Sequence, residues 1–145
     1  VAQIGRAEVR AGVVGPPAQE PHQGGPATNG EIAIWMERGT RHVPARSFVQ
    51  ATLRDPQFRA ELAHLERRLI AAVLAGKLDR DRALGLLGAF AAGEIRLTIT
   101  EDRVEGPALA PATIAAKTRH GSETNDKLLV DWGELAGAIT WEVIQ

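Results

Sequence analysis

The chain has no cysteine and no tyrosine, and its 145 residues hold only three phenylalanines and three tryptophans. Without thiols there is no disulfide, no zinc–thiolate site and no cysteine nucleophile. With so few rings, a small-residue core rich in Ala, Gly and Leu suits close helix packing better than an aromatic binding cleft. Net charge is also scarce. The 17 Lys and Arg against 18 Asp and Glu leave −1 at pH 7, which gives no global field for nucleic acid or an anionic membrane. Any electrostatic role is therefore local. No apolar run approaches the ~20 residues of a membrane-spanning helix, and no secretory leader is legible. The length favours a single domain over 1–145, large enough to bury a core without staples.

What is present reads as an alternation of strand, loop and helix. Residues 6–14 place Ala7, Val9, Ala11 and Val13 on one face and Glu8 and Arg10 on the other, the period-2 pattern of a half-buried strand. From Gly15 to Gly30, four prolines and four glycines speak against both ladder and helix. This stretch is expected to be a Pro/Gly-rich loop or arm, either a loose surface insertion or a segment ordered against a neighbouring subunit. Thr28 and Glu31 have the spacing of a capping box. The apolar run Ile32–Met36 behind them is expected to be a short buried helix closed by Gly39, with a buried strand as the alternative. Pro44 holds Val43 extended, so 41–45 should be a stiff link.

Two longer helices follow. Asp55 caps and Pro56 opens the first, whose Phe58, Leu62, Leu65, Leu69 and Val73 form one apolar stripe; Gly76 closes it. Asp79 caps the second, which carries Leu84, Leu87, Ala91 and Ile95 and runs to about Thr100. A link of three residues makes the pair an antiparallel hairpin. Gly85, Gly88 and Gly93 each cost that helix about 1 kcal/mol against Ala, which points to close approach of another backbone, from the first helix or a neighbouring subunit. Pro111 starts a short helix with Thr113, Ile114 and Lys117. Residues 118–127 read as a polar loop, and Asp131 with Glu134 as a cap for another short helix that turns Leu135 inward. Ile139, Trp141 and Val143 then alternate with Thr140 and Glu142 in a last strand, the natural partner of the first. The fold class is α+β: an antiparallel helical hairpin plus short helices packed on a small antiparallel sheet.

Chemistry is harder to find. Glu61 and His64 lie one turn apart and are two ligands at most. Ser47 has neither a Gly-x-Ser-x-Gly elbow nor an evident base, and no glycine-rich phosphate loop with a lysine occurs. Arg38, Arg41, His42 and Arg46 form one basic cluster around a turn, open to phosphates, to a partner's carboxylate or to water. Trp132 is either an interface anchor or a lid on the core. The residues point to a structural or binding role without an active site or cofactor.

Three segments in order resemble a known family. Met36-Glu37-Arg38-Gly39-Thr40 with Val43-Pro44-Ala45-Arg46-Ser47-Phe48 is similar to the "E-F-G-T … I-P-x-R-x-F" pattern of tail-completion proteins, also called virion morphogenesis or minor tail proteins, of tailed bacteriophages and prophages. Pro107-Ala108-Leu109-Ala110-Pro111 through Lys117 is similar to "P-P-L-x-x-x-T-I-x-x-K". Leu128 through Ile139, containing Asp131, Trp132, Gly133 and Leu135, is similar to "L-I-D-T-G-x-L-x-x-S-I". Arg38 stands where an aromatic is usual, Ala45 and Ala108 where proline is common, and Trp132 where threonine is. The resemblance covers about 31–144 and leaves the 15–30 segment outside.

It implies a structural, non-enzymatic subunit of the virion neck, assembled in the host cytoplasm into a ring, hexameric in this family, that joins the head–tail connector to the tail. The implied partners are copies of itself, connector or adaptor proteins, and the tail terminator or tail tube protein, with the channel DNA near the basic turn and no membrane. The implied assembly surface carries Glu37, Arg38, Gly39, Thr40, Arg41, Pro44, Arg46, Phe48, Pro107, Leu109, Lys117, Asp131, Trp132, Gly133 and Leu135. A tail terminator or head-closure protein of the same neck is the nearest alternative; a small metal-dependent enzyme using Glu61 and His64, or a DNA-contacting factor, are more distant ones.

Overall fold

The computed structural model describes residues 7–119 and 133–145. Its elements in chain order are β1 (Glu8–Gly12), α1 (Gly15–Gln19), a 3-10 turn (His22–Gly24), α2 (Asn29–Arg38), α3 (Phe48–Arg54), α4 (Pro56–Leu74), α5 (Arg80–Thr100), α6 (Pro111–Arg119), α7 (Glu134–Gly137) and β2 (Thr140–Ile144). The two ends of the chain pair with each other. β1 and β2 run antiparallel, with Val9 opposite Val143, Ala11 opposite Trp141 and Gly12 opposite Thr140. The ribbon lies against α5, which also packs on α3, α4 and α7. By length and composition alone α5 could cross a bilayer; in this fold it is the central element, covered by the ribbon and three helices. The architecture is α+β, as the pattern of elements predicts.

Local rules place most helix ends. Thr28 Oγ1 accepts from Glu31 N while Glu31 Oε2 accepts from Thr28 N, a complete capping box. Asp55 Oδ1 accepts from Gln57 N at 2.8 Å and Asp79 Oδ1 from Arg82 N at 2.8 Å, the two helix starts of the hairpin. At the turn, Gly76 at φ +68 lets its own N–H reach Val73 O and Lys77 N–H reach Ala72 O, closing α4 in a Schellman turn. The link between the hairpin helices spans 75–79 instead of three residues, because the Schellman closure and the Asp79 cap each use residues of their own. Phe58 and Phe90 stack between α4 and α5 with ring centroids 5.8 Å apart.

Three expectations are corrected and one unassigned stretch gains a helix. The 15–30 segment holds a helix after all, since prolines 16 and 17 occupy its first turn, where no N–H is needed. It is also tied to its own chain: His22 N donates to Ala27 O at 2.7 Å, Asn29 Nδ2 to Pro17 O at 3.1 Å and Gln23 N to Glu134 Oε1 at 2.8 Å. Second, residues 48–54, to which the sequence pattern assigned no element, form α3, divided from α4 at Asp55, which terminates one and caps the other. Third, α2 is a helix but not a buried one: Glu31, Ile34, Trp35 and Arg38 are all exposed. Fourth, the close approach at Gly85 and Gly88 is made by a side chain. A Cβ on Gly88 would lie 3.0 Å from Trp141 Cβ, Cδ2 and Cε3, and one on Gly85 3.1 Å from Trp141 Cη2, whereas Gly93 has nothing within 4 Å. Trp141 thus lays its inner face along α5 while its outer edge stays open to solvent. The loop expected over 118–127 does not begin at Thr118, because α6 continues through Arg119; the rest of it lies outside the described residues.

The core gathers under α5. Phe48, Ile99 and Ile139 are the most deeply buried large side chains, joined by Ala33, Ala92, Ile95, Val104, Leu135 and Ala136. A buried hydroxyl pair links α3 to α5. Thr52 Oγ1 and Thr98 Oγ1 are 2.7 Å apart, and each also reaches a carbonyl one turn back in its own helix, Phe48 O and Glu94 O. Arg96 of α5 closes the other side. Its Nε donates to Ala136 O at 3.0 Å and its Nη2 to Ile139 O at 2.7 Å, satisfying carbonyls at the end of α7.

Candidate functional site

The first motif segment forms a joint between α2 and α3. Gly39 ends α2 at φ 76, ψ 170, with its N–H on Trp35 O at 2.8 Å. That backbone region is open essentially to glycine alone. A Cβ here would also stand 2.7 Å from Ala45 N. Thr40 then builds the turn: its N–H donates to Val43 O at 2.8 Å, and its Oγ1 accepts from His42 N at 3.2 Å and Val43 N at 3.0 Å. After Pro44 the chain doubles back along the end of α2, where Arg46 N donates to Met36 O at 2.6 Å and Ser47 Oγ to Glu37 O at 2.7 Å.

Glu37 completes the joint. Its Oε2 accepts from Val49 N at 3.0 Å and its Oε1 from Gln50 N at 3.1 Å. A carboxylate in the last turn of one helix therefore caps the first turn of the next, favoured by both hydrogen bonding and the dipole of α3. Ser47, the residue in the cap position, makes no side-chain cap of its own. Phe48 follows directly and is 1% exposed. Proximity in sequence gave no hint of the Glu37 cap, since Ser47 is itself a residue type suited to the cap position.

The basic cluster splits. Arg38, Arg41 and His42 face solvent, as does Pro44. Arg46 turns inward to 7% exposure, and its Nε has no hydrogen-bond partner. Of the other predicted residues, Pro107 is exposed while Leu109 and Lys117 are buried. Gly133 is exposed with φ +72 just before α7, and Leu135 is buried in the same core cluster as Phe48. Asp131 and Trp132 lie outside the described residues. The structure thus joins the first and third segments through Phe48 and Leu135, and sends only part of the predicted surface outward.

The polar groups that could do chemistry are used to hold shape. The Ser47 hydroxyl is a donor to a carbonyl, and His22 Nδ1 sits 2.7 Å from Asn29 Oδ1. Glu61 and His64 are exposed on α4, with Glu61 Oε1 accepting from Gln57 Nε2 at 2.9 Å. Among the described residues no group of three His, Asp or Glu side chains converges as a metal site would require. A cleft of about 610 Å³ opens between α1, α2 and α3, walled by Val13, Ala18, Ile34, Arg38, Phe48 and Val49. Its carboxylates, Glu31 and Glu37, are both engaged in helix caps.

Some outward features are apolar. On α2, Ile34 and Trp35 are 54% and 43% exposed. At the hairpin tip, Ile70 and Leu74 are 59% and 83% exposed. They edge an apolar groove of about 340 Å³ between α4 and α5, lined also by Leu69, Val73, Ala83 and Leu87. No protein-family model, curated protein or solved structure matches the chain.

Proposed function

We propose that the chain is a structural subunit of the neck of a tailed bacteriophage, a ring-forming tail-completion protein that joins the head–tail connector to the tail. The observation that carries the reading is the α2–α3 joint. Glu37, Gly39, Thr40 and Phe48 are the residues by which the first segment resembles that family, and each has a task suited to its residue type at that spacing. The glutamate caps the next helix, the glycine takes a conformation other residues avoid, the threonine folds the turn, and the phenylalanine seats α3 in the core. The pattern is the specification of a joint.

Two further features support a subunit over an enzyme. The joint's polar groups are consumed by its own geometry, and among the exposed apolar residues two groups, one on α2 and one along the hairpin groove, lie on different elements, as contacts with two neighbours require. The surface arginines of the turn are then available to acidic protein surface or to DNA in a channel. The test is assembly. Purified protein, examined by native mass spectrometry and negative-stain microscopy, forms rings around a channel or is taken up into rings of connector protein, and antibodies label the neck of intact particles. A chain that stays monomeric with every neck component and is absent from virions refutes the proposal. Labelling of the adjacent ring instead assigns it to the terminator or head-closure position.

A further inference from the structure

The exposed stripe of α2 and the groove of the hairpin are complementary to each other. Along α2, Glu31, Ile34, Trp35 and Arg38 are the outward residues. Their spacing of i, i+3, i+4 and i+7 puts them on one face, about 10 Å long at 1.5 Å per residue, with an acid at one end, two large apolar side chains in the middle and a base at the other. The groove between α4 and α5 runs from Glu66, opposite Leu87, to the tip at Leu74 and Arg80, about 12 Å by the same rise. It too has an apolar middle, with Glu66 at the inner end and Arg80, which also pairs with Asp81, at the tip. Length and apolar character match, and Arg38 meets Glu66, when Glu31, whose carboxylate caps α2, lies at the tip.

We infer that α2 of one copy docks in the α4–α5 groove of the next copy, with Trp35 and Ile34 seated between Leu69, Ile70, Val73 and Leu74, and Arg38 paired with Glu66. The inference rests on the ring-subunit reading and names the contact that would build the ring. The two halves of the contact lie on different elements, so the interface is heterologous. Each copy offers a stripe to one neighbour and a groove to the other, the arrangement that closes into a cycle or runs on as a filament. The occupant is a second copy because the chain carries both surfaces, alike in length and apolar character, with Arg38 on one set to meet Glu66 on the other, a pairing that a generic apolar partner would not require.

The experiment uses the full chain, with sedimentation velocity and native mass spectrometry for assembly and circular dichroism to confirm folding. Trp35→Ser weakens self-association about tenfold or more, as loss of a central aromatic anchor does. Arg38→Glu and Glu66→Arg each weaken it several-fold, and the two together restore it to within about twofold of the wild type. Because the chain lacks cysteine, mixing Ile34→Cys protein, which keeps Trp35, with Leu74→Cys protein under oxidation gives a cross-linked heterodimer. If the wild type assembles and the charge variants assemble equally well, the contact is elsewhere and this inference falls while the ring reading stands. Self-cross-linking of Leu74→Cys alone, without the heterodimer, means a groove-on-groove contact and also overturns it. A wild type that stays monomeric at every concentration and with connector present overturns both readings.

Discussion

The three glycines of α5 make opposite predictions for one substitution. Alanine in a helix interior is favoured over glycine by about 1 kcal/mol. Gly93 has nothing within 4 Å of the position its Cβ would take, so Gly93→Ala should raise stability by about that amount, close to 4 °C in Tm for a chain of this size. At Gly88 the new methyl would lie 3.0 Å from three atoms of Trp141, one of them its Cβ. Those atoms sit near the β2 backbone and cannot swing aside, so overpacking of about 1–3 kcal/mol outweighs the helix gain and the net effect is a loss of up to about 2 kcal/mol. At Gly85 the clash is with the far edge of the indole, Cη2 at 3.1 Å, which a small ring tilt relieves. The expected order of stability is therefore Gly93→Ala above Gly85→Ala above Gly88→Ala, read by urea denaturation. A Trp141→Leu background should remove the ring's share of the Gly88→Ala penalty while the contact with the Cβ at 141 stays, a coupling of about 0.5–1 kcal/mol in a double-mutant cycle. If Gly88→Ala stabilises as much as Gly93→Ala, or the cycle shows no coupling, the packing of Trp141 on α5 is wrong.

The joint and the buried hydroxyl pair supply the remaining tests. Gly39→Ala should lose about 1–3 kcal/mol to backbone strain and more to the contact with Ala45 N; a stability within experimental error of wild type in urea would show that the turn relaxes freely. Glu37→Ala strips both caps from the first turn of α3 and should cost about 1–2 kcal/mol, with Glu37→Gln recovering part of it through one remaining acceptor; equal losses for the two would mean that the cap contributes through charge alone. Thr98→Val removes one partner from the pair with Thr52 and should cost about 1 kcal/mol. The double change Thr52→Val with Thr98→Val should cost less than the sum of the singles, since neither helix then buries an unmatched hydroxyl; strict additivity in thermal melts would show the two threonines to be independent.

What the sequence made legible follows from the range of the forces involved. The caps at Thr28, Asp55 and Asp79 and the close of α4 at Gly76 are decided by side chains within three residues of the helix end, so residue type and spacing suffice. The pairing of the first and last strands was legible for a related reason, because both show period 2 and a lone strand has no other partner. Three features escaped because their causes are distant. The Glu37 cap acts across a loop of about ten residues, the packing at Gly88 depends on Trp141 more than fifty positions away, and Arg46 turns inward only because the segment after Pro44 doubles back on α2. The helix at 15–19 was missed for a different reason: prolines in a first turn and prolines in a loop look alike until the chain direction is known.

The fold's economy bears on the outward stripe of α2. A ten-residue helix is marginal in water on its own, so something other than propensity holds it. Its N-terminus is held by the Thr28–Glu31 box, its C-terminus by Gly39 and by the return of 46–47 onto its last carbonyls, and its inner face by Ala33 in the core. None of these uses Ile34, Trp35 or Arg38. Removing those three side chains should leave α2 in place, because what fixes it lies on the opposite face and at both ends. The apolar area they present is therefore separable from folding, and a loss of assembly without loss of stability is the signature expected of every substitution there. The same fixation makes the stripe an effective docking edge. With both ends pinned and Glu37 binding α2 to α3, little freedom is left to lose when a partner covers it.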